Sequence, residues 1–378
     1  MRIKFLCRRY IPGEAWTNRL LAYAKGFAEH GHDVSLVFLI SDKKRTKYSI
    51  PIPGVRVVNL WEKDGWLARQ HRAISYLKNK RFIKKIIEDN DIIFMMDAGG
   101  YFLKEVLKSR KKVTKIYEAT EHPALQSDGT VDENKTPIIL EKFRGLDHIF
   151  VISQSLKKCF IKHGFEENKV TIINMFVDIN RFKNLSKSQN KEKSIVYCGI
   201  ISYSKDGADV LIKAFAIFHA YHHDYRLIMI GRGFQEDSID KLKELARKYN
   251  ILDYVDFIGQ IPVNEIPQTL VDATILALAR PDNLQNRNGF PTKLGEYLST
   301  GNPVVVTSVG EIPLFIKDGV NGYVAKPNDE KSFASKLCEV AANLEKAKEV
   351  GQKGMSLAHK EFSYYEQSEI VLSHVLGK

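Results

Sequence analysis

A chain of 378 residues, 44% hydrophobic and 27% charged, has the length for two folded domains and the composition of a globular protein. Its net charge of +12 lies in the first half, in basic clusters without interleaved aromatics, which favours an anionic membrane surface or plain solubility over nucleic acid. No apolar run approaches the ~20 residues of a membrane span, and charges interrupt the N-terminal stretch where a signal peptide would be apolar, so we expect a cytoplasmic protein. The four scattered cysteines lack the spacing of a metal site. We therefore expect reduced thiols and no metal.

The first half of the chain alternates short apolar runs with helical patterns, which is typical of α/β units with parallel sheets. The predicted strands lie at 3–6, 34–40, 55–60, 91–96, 114–119, 148–153 and 170–174, and the predicted helices at 15–30 and near 66–88. A polar stretch over 183–193 then shows no apolar periodicity and is interpreted as a linker.

The alternation restarts after this polar stretch. Strands are predicted at 194–199, 226–231, 255–259, 273–278 and 303–307, with helices at about 207–221 and 235–249 and one opening near Pro291. We therefore predict two doubly wound, Rossmann-like parallel-sheet domains facing a cleft. Their boundaries are 1–182 and 194–360, joined by the linker 183–193, and a C-terminal helix over 361–378 is expected to return toward the first domain. Ligands of such sheets bind beyond the carboxyl ends of the strands.

The helix near Pro291, in the stretch NGFPTKLGEYLSTGNPVVV (288–306), has features of an anion site. Proline suits the first helical position, the next backbone amides lack partners within the helix, and the helix dipole attracts anions. Gly289 would allow a ligand close to the backbone, and Glu296 would lean toward the same end, where it could accept bonds from sugar hydroxyls. The alternative is a surface helix with a solvated glutamate.

Two further loops of the second half follow strands. Lys205, in ISYSKDG (201–207), could neutralise a phosphate, or it could be an ordinary solvated lysine. IGRGF (230–234) supplies a glycine-rich turn, which is weak support for nucleotide binding because no full GxGxxG occurs in the chain.

In the first half, His122 follows a strand and is held extended by Pro123. It could hydrogen-bond a sugar or carry a proton, or it could simply be packed. The loop after the first strand offers Gly13 at a tight turn together with Arg8, Arg9 and Arg19, and these arginines could meet a phosphorylated acceptor. These arginines could also belong to the basic face.

Together these stretches resemble the retaining two-domain glycosyltransferases of the GT-B "group 1" or family 4 type. The likeness is strongest over about 194–330, through IVYCG, SKDGADVLIKAF, RLIMIGRG, VDFIGQIPVNEIP and GFPTKLGEYLSTGNPVVV in order. The first half matches more loosely, through FAEHGHDVSLV, HIFVIS and NMFVDINRF. The resemblance implies a nucleotide-sugar donor on the second domain, an acceptor on the first, and metal-independent transfer with retained anomeric configuration.

The resemblance also assigns roles to single positions. Glu296 matches the second glutamate of an E-x7-E motif, expected on the donor ribose. Lys205 would act on the diphosphate, and His122 would lie near the transferred sugar. The other expected donor-binding positions are Gly199, Gly231, Gly259, Gln260, Arg280, Asn288, Gly289, Phe290, Pro291 and Thr292. Arg8, Arg9 and Gly13 would serve the acceptor.

Departures from the family pattern leave the donor sugar open. Asn288 stands where the first glutamate of E-x7-E is usual, and Ile200 stands where an arginine commonly follows the strand. We hypothesise that Arg280 or Arg287 supplies the missing positive charge.

The resemblance therefore implies transfer of a hexose-type sugar from a UDP- or GDP-sugar. The expected acceptor is a lipid-linked or growing glycan in bacterial capsule, lipopolysaccharide or exopolysaccharide synthesis. We expect no cofactor beyond the nucleotide sugar, no metal, no nucleic acid, and contact with the inner face of the cell membrane. A nucleotide-sugar epimerase of the same fold and a noncatalytic nucleotide-binding protein are the alternatives.

Overall fold

The computed structural model describes residues 1–7, 10–40, 50, 52–61, 81, 83–96, 102–126, 129–189 and 192–376. The chain folds into two compact units. The first unit comprises Met1–Gln126, Val131–Phe176 and Tyr364–Lys378, and the second comprises Ser127–Thr130 and Val177–Ser363.

The described part of the first unit contains a 7-stranded parallel sheet in the order β3-β2-β1-β4-β5-β6-β7. The strands are β1 (Arg2–Cys7), β2 (Asp33–Ile40), β3 (Val55–Trp61), β4 (Ile92–Met95), β5 (Thr114–Ala119), β6 (His148–Val151) and β7 (Val170–Ile172). The order reverses between β1 and β4, as in doubly wound folds. Central strands are almost wholly buried, which explains their continuous apolar sequences.

The described part of the second unit contains a 6-stranded parallel sheet in the order β10-β9-β8-β11-β12-β13. The strands are β8 (Lys193–Cys198), β9 (Tyr225–Ile230), β10 (Val255–Gly259), β11 (Ile275–Leu278), β12 (Val304–Thr307) and β13 (Tyr323–Ala325). Its order reverses between β8 and β11, so the loops after these strands lie at a switch point.

Helices connect the strands on both sheets. Those of the first half are α1 (Ala15–Glu29), α2 (Leu103–Leu107), α3 (Thr136–Glu141) and α4 (Gln154–Lys162). The second half has α5 (Tyr203–Asp206), α6 (Ala208–His219), α7 (Ser238–Lys248), α8 (Ile266–Asp272), α9 (Leu284–Asn288), α10 (Thr292–Ser299), α11 (Ile312–Phe315), α12 (Glu330–Ala342), α13 (Leu344–Glu361) and α14 (Tyr364–Leu376). One-turn 3₁₀ helices span Glu167–Lys169, Ile179–Phe182 and Leu252–Tyr254.

The last helix, α14, packs against α1 in the first unit. Tyr364, Val371 and Leu372 belong to the buried cluster that also includes the aromatic residues of β1 and α1. A Cβ at Gly26 of α1 would overlap the Ser368 side chain, so the two helices are in close contact at this glycine.

The fold class predicted from the sequence is confirmed, since both units are Rossmann-like parallel-sheet domains. The predicted strands occur within a few residues of their expected bounds. The helix predicted near 66–88 lies mostly outside the described residues. Within the predicted linker, Lys187 and Ser188 hydrogen-bond to Ala273 and Asp272 at the end of α8.

Candidate functional site

Three glycines bring the loops after β8, β9 and β10 together at the carboxyl edge of the second sheet. Gly199 and Gly231 have φ of +150° and +131°, and a Cβ on Gly231 would overlap the carbonyl oxygen of Gly199. The Gly231 amide donates to the Gly259 carbonyl at 2.8 Å. Backbone therefore lines this edge, and exposed Gln260 follows directly.

Helix α10 begins at Thr292 beside this edge, and Pro291 is its N-cap, so the prediction that Pro291 occupies the first helical position was wrong by one residue. No described side chain caps this end of the helix. The Gly289 amide donates to the Gln285 carbonyl at 3.1 Å. Gly289 closes α9 with this bond, so its amide hydrogen already has a partner within the chain, and its expected role in binding the nucleotide-sugar donor stays a prediction.

Phe290 and Asn288, both expected to bind the donor, make contacts with other residues of the chain. The Phe290 ring packs on Phe315 and Phe362, with ring centroids 5.4 and 5.7 Å apart. The side-chain amide of Asn288, which is 8% exposed, donates to the Leu284 carbonyl at 2.8 Å. Asn288 stands where the family pattern has a glutamate, and its side chain stabilises the last turn of α9.

An ion pair between Lys293 and Asp206 lies at the same edge, and the sequence analysis did not predict it. Lys293 Nζ donates to Asp206 Oδ2 at 2.8 Å, and the Tyr197 hydroxyl donates to the same oxygen at 2.9 Å. The lysine chain passes so close to Gly199 that a Cβ there would overlap it. The side chain of Asp206 is 3% exposed and that of Lys293 is 20% exposed, so part of the lysine side chain reaches the surface.

Three cationic side chains act on the single carboxylate of Asp206. Burial favours its neutral form, but Lys293, Arg280 and Lys205 outweigh burial, and the pKa of its carboxyl lies below the ordinary value. Burial lowers the pKa of Lys293, and the neighbouring Lys205 and Arg280 lower it further against the attraction of Asp206. Three cations acting on one carboxylate leave a positive potential that suits an anionic ligand.

The residues proposed from sequence to supply positive charge differ in setting. Lys205 is half-buried in α5, where its amide donates to Ser202 Oγ at 3.1 Å. Arg280 is 3% exposed, and its guanidinium donates to Asn286 Oδ1. Arg287 forms a two-bond pair with Asp282 and is 58% exposed. Of the two arginines hypothesised to replace the missing charge, Arg280 acts on the Asp206 site.

Glu296 lies on the first turns of α10 and is paired with Arg181. Arg181 Nη1 donates to Glu296 Oε1 at 2.5 Å, and the two side chains are 24% and 21% exposed. Thr292 is half-buried one turn earlier on the helix. Arg181 was not predicted from the sequence, although it lies in NMFVDINRF, one of the stretches that carry the family resemblance.

In the first unit, His122 is 8% exposed and both ring nitrogens have neighbours. Nδ1 accepts the Ala124 amide at 3.2 Å, which leaves the proton on Nε2, 3.3 Å from Cys159 Sγ. Burial lowers the pKa of this imidazole; His163 lowers it too, and Glu133 opposes them.

The expected acceptor loop is described only in part. Gly13 occupies a turn with φ of +80°, whereas Arg8 and Arg9 lie outside the described residues. Arg19 is fully buried, and its guanidinium donates to Glu118 Oε1 at 2.6 Å, so this pair belongs to the core.

Across the described residues, no cluster of three or more His, Cys, Asp or Glu side chains is arranged to hold a metal ion. None of the helices described there combines the length and apolarity needed to span a membrane.

Two Rossmann-like units with parallel sheets define the GT-B class of fold. The structure of Anabaena HepE with UDP and glucose matches 100% of both chains, with a TM-score of 0.79 and 17% identity. S. aureus TarM, solved with fondaparinux, α-GlcNAc-glycerol and UDP, matches 99% of this chain and 100% of its own, with a TM-score of 0.77 and 13% identity. Identities this low show a shared fold alone.

Residues 178–356 match the family model of glycosyl transferases group 1. The colanic acid biosynthesis glycosyltransferase WcaL of Salmonella typhimurium is 26% identical over 239 residues, which cover 63% of this chain and 57% of the relative. A Methanocaldococcus jannaschii glycosyltransferase, MJ1178, is 24% identical over 301 residues, 78% of this chain and 79% of the relative. The chain thus spans little more than half the length of WcaL.

Proposed function

We propose that the protein is a retaining glycosyltransferase that moves a hexose-type sugar from a UDP- or GDP-sugar to a glycan acceptor. One observation carries this proposal: Lys293, Lys205 and Arg280 surround the single carboxylate of Asp206 beneath the glycine loops of a group 1 domain. A sugar diphosphate is the ligand whose charge and size suit an accessible cationic edge lined by backbone.

The positive charges would act on the leaving group. The diphosphate gains negative charge as the sugar–phosphate bond breaks, and fixed cations at that point lower the barrier. We assign this role to Lys293 and Lys205 and propose that no metal ion is required for it. Glu296 would accept hydrogen bonds from the ribose, and the turn at Gly259 and Gln260 would hold the base by its backbone.

The acceptor proposal rests on the relatives. WcaL is named for colanic acid biosynthesis, and MJ1178 is likewise named a glycosyltransferase. We propose a lipid-linked or growing glycan of a surface polysaccharide as acceptor, reached at the cytoplasmic face of the membrane through the basic first half. His122 would contact the transferred sugar. For this contact its imidazole ring must reorient so that the Nε2 proton points away from Cys159 Sγ.

A nucleotide-sugar screen tests the proposal. UDP- and GDP-sugars are added singly and thermal unfolding is followed; ligand at 100 times Kd stabilises by about 2.7 kcal/mol. We expect one nucleotide class to raise Tm and the matching sugar donor to be slowly hydrolysed. Failure of every nucleotide to shift Tm would reject the proposal, and conversion of the donor to another sugar nucleotide without an acceptor would indicate an epimerase.

A further inference from the structure

Arg181 is held in place by its surroundings in the second unit. It lies in the 3₁₀ turn Ile179–Phe182, which contacts both α8 and α10. Asp178 Oδ1 accepts the Asn180 amide at 3.2 Å at the start of this turn. The Arg181 guanidinium reaches the Val263 carbonyl with Nη2 at 3.4 Å and Glu296 with Nη1 at 2.5 Å.

The pair leaves part of the Glu296 carboxylate available. The observed bond uses Oε1, and an ionised carboxylate can accept bonds at about four lone-pair positions over its two oxygens. Because about a fifth of the Glu296 side chain is exposed, a ligand can approach it. The paired guanidinium restricts the flexible side chain of Glu296 to one direction.

We propose that Arg181 is a positioning residue that directs Glu296 toward the ribose hydroxyls and so sets the preference for ribonucleotide over deoxyribonucleotide donors. The proposal rests on the proposed function. A carboxylate fixed in advance rejects a ligand that lacks its hydroxyl, because the charged acceptor is then left without a partner. When the hydroxyl is missing, a mobile carboxylate can turn to solvent and be hydrated, so the preference for ribonucleotides is lost.

Calorimetric titration of the full chain with UDP, 2′-deoxy-UDP and 3′-deoxy-UDP tests this role, with the guanosine series used if UDP does not bind. We expect wild type to prefer UDP over at least one deoxy analogue by about ten- to a hundredfold, the value of a hydrogen bond to a charged group. Arg181→Ala should weaken UDP binding and leave that analogue nearly unchanged, so that the preference falls below about threefold. In steady-state kinetics it should raise the donor KM more than it lowers kcat.

Two further variants complete the design. Arg181→Lys keeps the charge without the planar fork and should restore part of the preference. Arg226→Ala is the matched control, because Arg226 pairs with Asp256 at 2.7 Å with side chains 33% and 34% exposed, at the amino ends of β9 and β10. It should keep the wild-type preference.

Each outcome bears on one claim. Unchanged ribose preference in Arg181→Ala would overturn the positioning role while leaving nucleotide binding intact, and so would a wild type that binds UDP and both deoxy analogues equally. A wild type that binds neither nucleotide series overturns this inference together with the proposed function. Should Arg181→Ala fail to fold by circular dichroism, Arg181→Lys decides, and full wild-type preference in it would count against the role.

Discussion

Removal of the Lys293 ammonium separates its structural role from its role in donor binding. Lys293→Met leaves the carboxylate of Asp206 buried without its closest cation, and breaking a buried pair in this way costs about 3–5 kcal/mol. We expect urea unfolding to show this loss and calorimetry to show that nucleotide binding is lost as well.

The double variant Lys293→Met, Asp206→Leu provides the decisive comparison. Removing both charges should recover most of the stability, but nucleotide binding should stay absent because the cation is still missing. Lys336→Met is the matched control: Lys336 is also 20% exposed and pairs with Asp318 at 2.6 Å, yet it lies on α12. Recovery of nucleotide binding in the double variant would refute the role of Lys293.

Some residues of this site can be predicted from the sequence, and others cannot. Glu296 is visible because a carboxylate stands one turn inside a proline-capped helix. Lys293 stands three residues before it, but nothing in the stretch reveals that its partner is buried. Asp206 lies between a lysine and a glycine, a context that normally indicates a solvated loop, and only folding brings Tyr197 and Lys293 to it.

At the level of elements, the connection after β5 is held to α4 through His122 and Cys159. The folded state lowers the pKa of His122, chiefly by burial, so the unfolded chain takes up this proton near pH 6.5 and the folded chain takes it up only at lower pH. Stability is therefore full above about pH 6.5 and falls as the pH drops through this window.

We expect His122→Gln to lose less Tm than wild type between pH 7.5 and pH 5.5, as measured by differential scanning calorimetry. His374→Gln on α14 controls for the loss of an imidazole elsewhere. An equal pH dependence in wild type and His122→Gln would contradict the assignment.

The central strands, which are rich in large apolar side chains, were predicted from the sequence, whereas helix α13 was not. A helix over Leu344–Glu361 was not predicted from the sequence; its buried face is made of Ala347, Val350, Gly351, Gly354 and Ala358. Two of these glycines meet backbone directly: a Cβ on Gly351 would overlap Gly301, and one on Gly354 would overlap Asn321. Small residues give close packing but little hydrophobic periodicity.

For the whole molecule, the charge distribution predicts salt-dependent membrane binding. The full chain should bind vesicles of anionic phosphatidylglycerol at low salt, by about 1 kcal/mol per basic residue near the surface, and release them at high salt because of screening. Cosedimentation measures this, with neutral phosphatidylcholine vesicles as control. Replacement of the basic residues in 43–47 with serine should weaken binding, and no binding at low salt would contradict the proposal.

The two-unit organisation could be predicted because the strand–helix alternation stops and then restarts. The contacts that the linker makes could not be predicted, because they depend on the folded structure rather than on local composition. The polar segment before β8 hydrogen-bonds to the end of α8 through Lys187 and Ser188. The last helix, expected from the sequence to return toward the first domain, packs on α1 of the first unit.

The position of α14 has a consequence for synthesis on the ribosome. Residues 1–176 emerge first, but the apolar surface of α1 receives Tyr364, Val371 and Leu372 only when the final segment leaves the exit tunnel. At roughly 5–20 residues per second, the wait is on the order of ten to forty seconds. The first unit, although its sequence begins earlier, is thus completed after the second. During that interval the nascent chain exposes the apolar face of α1, to which chaperones can bind.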